Sequence, residues 1–171
     1  MLGFLREKVP EDCPRIHLAI QSPGGSVPVA LALANILQSL PCPVTTYNIG
    51  NVDSAATILF AAGTERVCAP GARFLLHPIK KSVEGYHTLD TLSSLIKEIA
   101  EDTRRVTELL AQRTGRTAPS RWEELMSAPH SLSSEAAVEL GLAHRIDECR
   151  RALAWEACCG NQVWRSEGVP E

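Results

Sequence analysis

The stretch GNVDSAA, Gly50 to Ala56, decides how this chain is interpreted, because it joins two elements of different periodicity. The apolar residues before it predict a buried strand over 44–49, and those after it predict a helix over 55–62. Ser54 therefore falls at a strand-to-helix turn, where its hydroxyl can project and N–H groups at the helix start can bind a developing oxyanion. Gly50 would allow the chain to turn tightly. The alternative interpretation is that Ser54 only caps the N-terminus of the helix.

Strands and helices alternate along the rest of the chain, which is typical of an α/β domain. A buried strand is predicted over 15–21 and a helix over 27–40, before the Ser54 turn. The further predicted elements are strands over 65–68, 73–76 and 142–146 and helices over 89–114, 121–126 and 134–140. We therefore expect an α/β fold with a mostly parallel sheet, repeated strand-helix units and one long helix.

The length of 171 residues predicts one domain, which we place over residues 1–147. Residues 148–171 form a predicted tail that starts as a helix and then becomes flexible. Two serines are predicted helix N-caps. Ser120 has Glu123 three residues later, which is typical of a capping box, and Ser133 precedes the helix over 134–140.

The composition is that of an ordinary globular protein, and it argues against several classes of protein. A net charge of −3 predicts no broad basic surface for nucleic acid, and the apolar runs are too short to span a membrane. Met1 to Pro10 is interrupted by charges, so it is a poor signal peptide. The six cysteines form no C-x-x-C pair and no standard zinc pattern. We therefore expect a cytoplasmic protein without metal or cofactor.

Three short segments follow predicted strands: the Gly24-Gly25 turn, Ser54, and His77. In parallel α/β sheets, ligand sites form outside the carboxyl ends of the strands, so these segments can converge. Ser54 would be the nucleophile, and His77 would take its proton and later return it to the leaving group. The backbone N–H groups of Gly25 and Ala55 would form an oxyanion hole.

Four motifs in this order resemble those of the Clp-type proteolytic subunit, a self-compartmentalising serine peptidase of the crotonase-like superfamily. The resemblance covers about residues 15–146. The motifs are QSPGGSV (Gln21 to Val27), GNVDSAATILFAAG (Gly50 to Gly63), RFLLHP (Arg73 to Pro78) and LSSEAAVELGLAHRI (Leu132 to Ile146).

The resemblance implies a Clp protease/crotonase-like fold and cleavage of unfolded peptides. It assigns Ser54 as nucleophile, His77 as general base, and Gly25 and Ala55 as oxyanion donors. It also implies a homo-oligomeric ring that receives its substrate from an AAA+ unfoldase.

Two departures from the family pattern keep other functions open. The triad aspartate of the family falls at Pro129, which leaves the third catalytic residue unknown; Glu123, Glu124 and Asp53 are the alternatives. The first strand of the family has no counterpart in the sequence. The chain is therefore either a serine peptidase or a catalytically impaired ring subunit that assembles with an active paralogue. A crotonase-like acyl-CoA enzyme is the third possibility, because it would share the fold and the oxyanion geometry.

Overall fold

The computed structural model describes residues 13–149, so the first twelve residues and nearly all of the predicted tail over 148–171 lie outside the described part. The strands are β1 (Ile16–Ser22), β2 (Val44–Asp53), β3 (Glu65–Cys68), β4 (Arg73–Leu76), β5 (His130–Ser133) and β6 (Arg145–Ile146). The helices are α1 (Val27–Ser39), α2 (Ala56–Ala61), α3 (Leu89–Thr114), α4 (Pro119–Met126) and α5 (Ser134–Glu139).

One sheet organises the described residues, and β2 lies at its centre. The strand order is β5-β4-β2-β3-β6, and β1 pairs with the other edge of β2. The first half of β2 pairs with β3, and its end pairs with β4. Among the pairings of the described strands, only that between β4 and β5 is antiparallel. The predicted α/β fold with a mostly parallel sheet and a long helix is confirmed.

Several predicted elements differ in their bounds. β2 continues through Gly50 to Asp53, so Gly50 is a strand residue and not a turn residue as predicted. β5 was not predicted, and the strand predicted over 142–146 is reduced to its last two residues. Helix α4 begins at Pro119 with Ala118 as its N-cap, so the predicted capping box at Ser120 is wrong. Proline suits the first helical turn because its missing N–H would have no partner there.

The core contains side chains from β2, β4 and the helices. The rings of Phe60 and Phe74 pack edge to face, with centroids 5.0 Å apart, and so join α2 to β4. The largest side chains in this core with almost no exposure are Trp122, Phe60, Phe74, Ile58, Leu110 and Leu142. Since α2 follows Ser54 directly, this packing holds the strand-to-helix turn in place.

The long helix α3 has two unequal halves. Val106 and Leu110 in its C-terminal half are buried, whereas Leu89 and Ile96 in its N-terminal half are 79% and 68% exposed. The apolar side chains of this helix therefore belong to the core at its C-terminal end and are exposed at its N-terminal end. Across residues 13–149, no helix combines the length and the hydropathy that crossing a membrane requires.

Candidate active site

The carboxyl ends of β1, β2 and β4 meet at one edge of the sheet. The residues that follow these strands, Gly25, Ser54 and His77, line a single cavity of about 380 Å³. This convergence follows from the parallel pairing of β2 with both β1 and β4. The residues that the sequence selected are therefore neighbours, although they lie far apart in the chain.

Ser54 has an unusual backbone conformation for a residue with a side chain. Its φ angle is +55°, in the left-handed region that non-glycine residues rarely adopt. Its N–H donates to the carbonyl of Leu75 at 2.7 Å. The N-cap of α2 is Ala55, so the interpretation of Ser54 as a simple helix cap is wrong. A strained serine between a strand and a helix is the geometry of a nucleophile elbow.

The glycine turn packs directly against this elbow. A Cβ atom added at Gly24 would lie 2.6 Å from Cβ of Ser54 and 2.7 Å from the carbonyl oxygen of Asp53. Gly24 also has a φ angle of +98°, which side chains disfavour. The sequence indicated the glycine pair, but only the structure shows that position 24 provides the close approach to Ser54.

Two backbone N–H groups beside Ser54 are available to a ligand. Within the described residues, neither the N–H of Gly25 nor that of Ala55 donates a hydrogen bond. Ala55 is buried, and a buried N–H without a partner is uncommon because it loses its hydrogen bond to water. Both residues line the cavity, which is where an oxyanion would need donors.

The imidazole of His77 is oriented by the backbone. Its Nδ1 lies 2.7 Å from the carbonyl oxygen of Pro78. Since a carbonyl can only accept, Nδ1 carries the proton, and Nε2 of the neutral ring is then free to accept one. Within residues 13–149, the side chains of Ser54 and His77 make no direct hydrogen bond. Such bonds are often long without substrate and tighten in the reacting complex.

The pairing of β5 with β4 bears on position 129. The antiparallel register of β4 and β5 pairs Leu75 with Ser131 and Leu76 with His130. The next pair in that register would place Pro129 opposite His77. A proline side chain at that place could neither accept a proton from the imidazole nor carry a charge.

None of the predicted substitutes for the missing acid makes a hydrogen bond or an ion pair with His77 in the described part of the chain. Glu123 and Glu124 are exposed, and Glu124 pairs with Arg121 at 2.6 Å. Asp53 pairs with Arg73 at 3.3 Å.

The cavity also contains an acidic residue that was not predicted from the sequence. Asp102 of α3 is 7% exposed and lines the same cavity as Ser54 and His77. Its spacing could have revealed it, since it lies three residues after Ile99 and four before Val106 on the apolar face of α3. Across residues 13–149, no three side chains of His, Cys, Asp or Glu gather in a way that could hold a metal ion.

A cavity at the carboxyl edge of a parallel sheet, lined by polar groups that converge from several strands, is typical of an enzyme. The family model for Clp protease matches residues 2–150, which includes almost the whole described structure. The chain belongs to the Clp protease family, and the resemblance seen in the sequence is confirmed. Members of this family are peptidases and typically form oligomeric rings.

Proposed function

We propose that this chain is a serine-type peptidase that cleaves unfolded peptides with Ser54 as nucleophile and His77 as general base. The observation that carries the proposal is the strained Ser54, which lines one cavity with His77 and two unpaired backbone N–H groups. Strain at a functional position persists only where the surrounding structure maintains it.

The reaction would proceed in two halves. Oγ of Ser54 attacks the carbonyl carbon of the scissile peptide bond while Nε2 of His77 takes the hydroxyl proton. The oxyanion accepts hydrogen bonds from the N–H groups of Gly25 and Ala55. His77 then protonates the leaving amine, and an acyl-enzyme on Ser54 remains. A water molecule then attacks the acyl carbon while His77 takes its proton. His77 returns this proton to Oγ of Ser54 as the second product leaves.

The carbonyl of Pro78 would take over part of the role of the missing acid. Its hydrogen bond with Nδ1 supports the tautomer in which Nε2 is the base. A neutral carbonyl stabilises the imidazolium less than a carboxylate does, so we expect turnover to be slow for this class of enzyme.

Labelling with a serine-reactive fluorophosphonate tests the proposal. The wild-type protein should be labelled, and Ser54→Ala should abolish the label. His77→Ala should slow labelling roughly a hundredfold or more, because general base catalysis is lost. Ser26→Ala is the matched control, since Ser26 lines the same cavity and has no role in the mechanism. Monomeric and oligomeric fractions should be labelled separately, because assembly can align the site.

Pro129 favours a second candidate function, that of a catalytically impaired ring subunit. Such a subunit would assemble with an active paralogue and would carry no label on Ser54. Absence of labelling in a folded oligomer, together with co-purification of an active paralogue, would support this alternative and contradict the peptidase proposal.

We also propose an oligomeric state and a cellular location for this chain. The exposed apolar residues Leu89, Leu92 and Ile96 on α3 support contact with further copies of the chain, and we infer a homo-oligomeric ring. An AAA+ unfoldase would supply unfolded substrate to such a ring. The cysteines of the described residues are free thiols, which supports a cytoplasmic location.

A further inference from the structure

The connection between β4 and α3, residues 77–88, contains neither helix nor strand. It begins with His77 and Pro78, so it carries both the imidazole of the site and the carbonyl that accepts a hydrogen bond from Nδ1. Within residues 13–149, the backbone of residues 78–82 makes no hydrogen bond with another backbone group. Side chains therefore hold this part of the connection in its path.

Ile79 and Lys81 attach the β4–α3 connection to the rest of the protein. Ile79 packs against the main core. Both residues line the cavity beside Ser54 and are partly covered, whereas every residue from 82 to 88 is exposed. The attachment of the connection therefore lies next to the site, within four residues of His77.

Lys81 joins the connection to two acidic residues one turn apart on α3. Its Nζ donates to Glu98 at 2.5 Å and lies 3.7 Å from Oδ2 of Asp102. The side chain of Lys81 is 29% exposed and that of Asp102 only 10%. A partly buried ion pair is screened less by water and salt than a surface pair, so it can hold a segment that a surface pair would not.

The hydrogen bond on Nδ1 depends on the path of this connection. Among residues 13–149, no carboxylate makes a hydrogen bond or an ion pair with His77, so the carbonyl of Pro78 sets the tautomer of the ring. This carbonyl keeps its direction only while the backbone after Pro78 is held in one conformation.

We propose that Lys81 is a positioning residue for His77. Its ion pairs with α3 hold the β4–α3 connection in the path that keeps the carbonyl of Pro78 on Nδ1 of the imidazole. Nε2 then stays unprotonated and can accept the proton of Ser54. The consequence for Ser54 rests on the proposed function, whereas the effect on the imidazole does not.

Magic-angle-spinning NMR of protein with ¹⁵N-labelled histidine rings tests this inference, because a ring nitrogen that carries a proton resonates far from one that does not. The method applies to an assembly of any size, and His77→Gln identifies the signals of His77. At a pH where the ring is neutral, the wild-type protein should show the tautomer protonated at Nδ1. In Lys81→Met, which keeps the apolar stem and removes the cation, the two nitrogen signals should move towards each other as both tautomers become populated.

The rate at which a fluorophosphonate labels Ser54 gives a second readout. We expect Lys81→Met to slow labelling roughly tenfold, because a base that is displaced from its working geometry loses much of its effect. Lys81→Arg keeps a cation of similar reach and should restore both the tautomer and the labelling rate to nearly wild-type values.

Lys80→Met is the matched control. Lys80 lines the same cavity but makes no ion pair within residues 13–149, so this variant removes a cation from the connection without detaching it. It should leave the tautomer and the labelling rate unchanged. Glu98→Gln removes the closest partner of Lys81, whose own side chain is 57% exposed, and should change both readouts in the same direction as Lys81→Met.

The outcomes separate this inference from the peptidase proposal. A wild-type ring that is not protonated at Nδ1, or a wild-type tautomer in folded Lys81→Met, would overturn the role of Lys81. Equal changes in Lys80→Met and Lys81→Met would also overturn it, because the ion pairs would then be irrelevant. If Lys81→Met does not fold, a wild-type tautomer in Glu98→Gln would overturn it instead. Absence of labelling on wild-type Ser54 would contradict the peptidase proposal, and the NMR readout would still decide the role of Lys81.

Discussion

The conformation of Ser54 depends on contacts from two neighbouring segments. The carbonyl of Leu75 accepts its N–H, and Gly24 packs against its Cβ at a distance that no other residue type would permit. A left-handed conformation costs a residue with a side chain about 1–2 kcal/mol, so these contacts must offset it. These contacts hold the turn in one conformation, which is what an oriented nucleophile would require.

Pro129→Asp should increase the reactivity of Ser54. Continued by one residue pair, the register of β4 and β5 would place position 129 opposite His77, where a carboxylate could hold Nδ1–H and stabilise the imidazolium form. We expect fluorophosphonate labelling of Ser54 to accelerate roughly tenfold or more.

Pro129→Asn separates the effect of charge from the effect of removing a proline. It can accept a hydrogen bond from His77 but carries no charge, so it should accelerate labelling much less than Pro129→Asp. Equal labelling rates in the wild-type protein, Pro129→Asp and Pro129→Asn would show that the side chain at position 129 does not reach the imidazole.

At the scale of elements, two arginines join the ends of three helices. Arg66 is 3% exposed and pairs with no carboxylate among the described residues. Its guanidinium donates to carbonyls near the C-termini of α2, α3 and α5, namely Gly63, Arg113, Gly141 and Leu142 at 2.7–3.1 Å. Arg113 itself donates to the end of α2. Burial, with a smaller contribution from Arg113, lowers the pKa of Arg66 to about 10.

Arg66→Met should destabilise the protein strongly. It leaves several buried carbonyls at helix ends without donors, and each unsatisfied group is costly. We expect the free energy of unfolding to fall by about 3 kcal/mol or more, as measured by urea denaturation.

Arg104→Met is the matched control for this prediction. Arg104 pairs with Glu101 and Glu108 on the surface of α3, and its side chain is 55% exposed. Exposed ion pairs contribute little, so this variant should unfold close to the wild-type midpoint. A similar midpoint for both variants would contradict the structural role assigned to Arg66.

At the scale of the whole molecule, the N-terminal half of α3 has an apolar face without a partner in the described chain. Leu89, Leu92 and Ile96 lie on it and are exposed. Apolar patches of this kind usually mark an interface. The double variant Leu92→Glu with Ile96→Glu should therefore shift the protein to a smaller assembly in light scattering after gel filtration.

The variant Lys97→Glu controls for the added charge. It reverses a charge at an exposed position of the same helix and removes no apolar surface. We expect it to keep the wild-type mass. An unchanged mass in the double variant would mean that this face of α3 makes no contact with another copy.

Much of the fold could be predicted because the signals are local. The bounds of β3, β4 and α3 agree with the predicted ones, since turn residues and hydrophobic periodicity act over a few neighbours. β5 could not be predicted because HSLS, His130 to Ser133, has only one buried residue and becomes a strand by pairing with β4. Pairing with a neighbouring strand commonly outweighs the secondary-structure propensity of the residues themselves.

The sequence by itself determined the α/β order of elements and the Clp protease family, and it pointed to the residues that we propose as nucleophile, base and oxyanion donors. These follow from motifs whose spacing along the chain is fixed by covalent connection. Only the tertiary structure decided that Gly24 closes against Ser54, that β5 pairs with β4 up to His130, and that Asp102 shares the cavity. Such contacts join residues far apart in the chain, so they depend on strand register and helix packing, which no local pattern encodes.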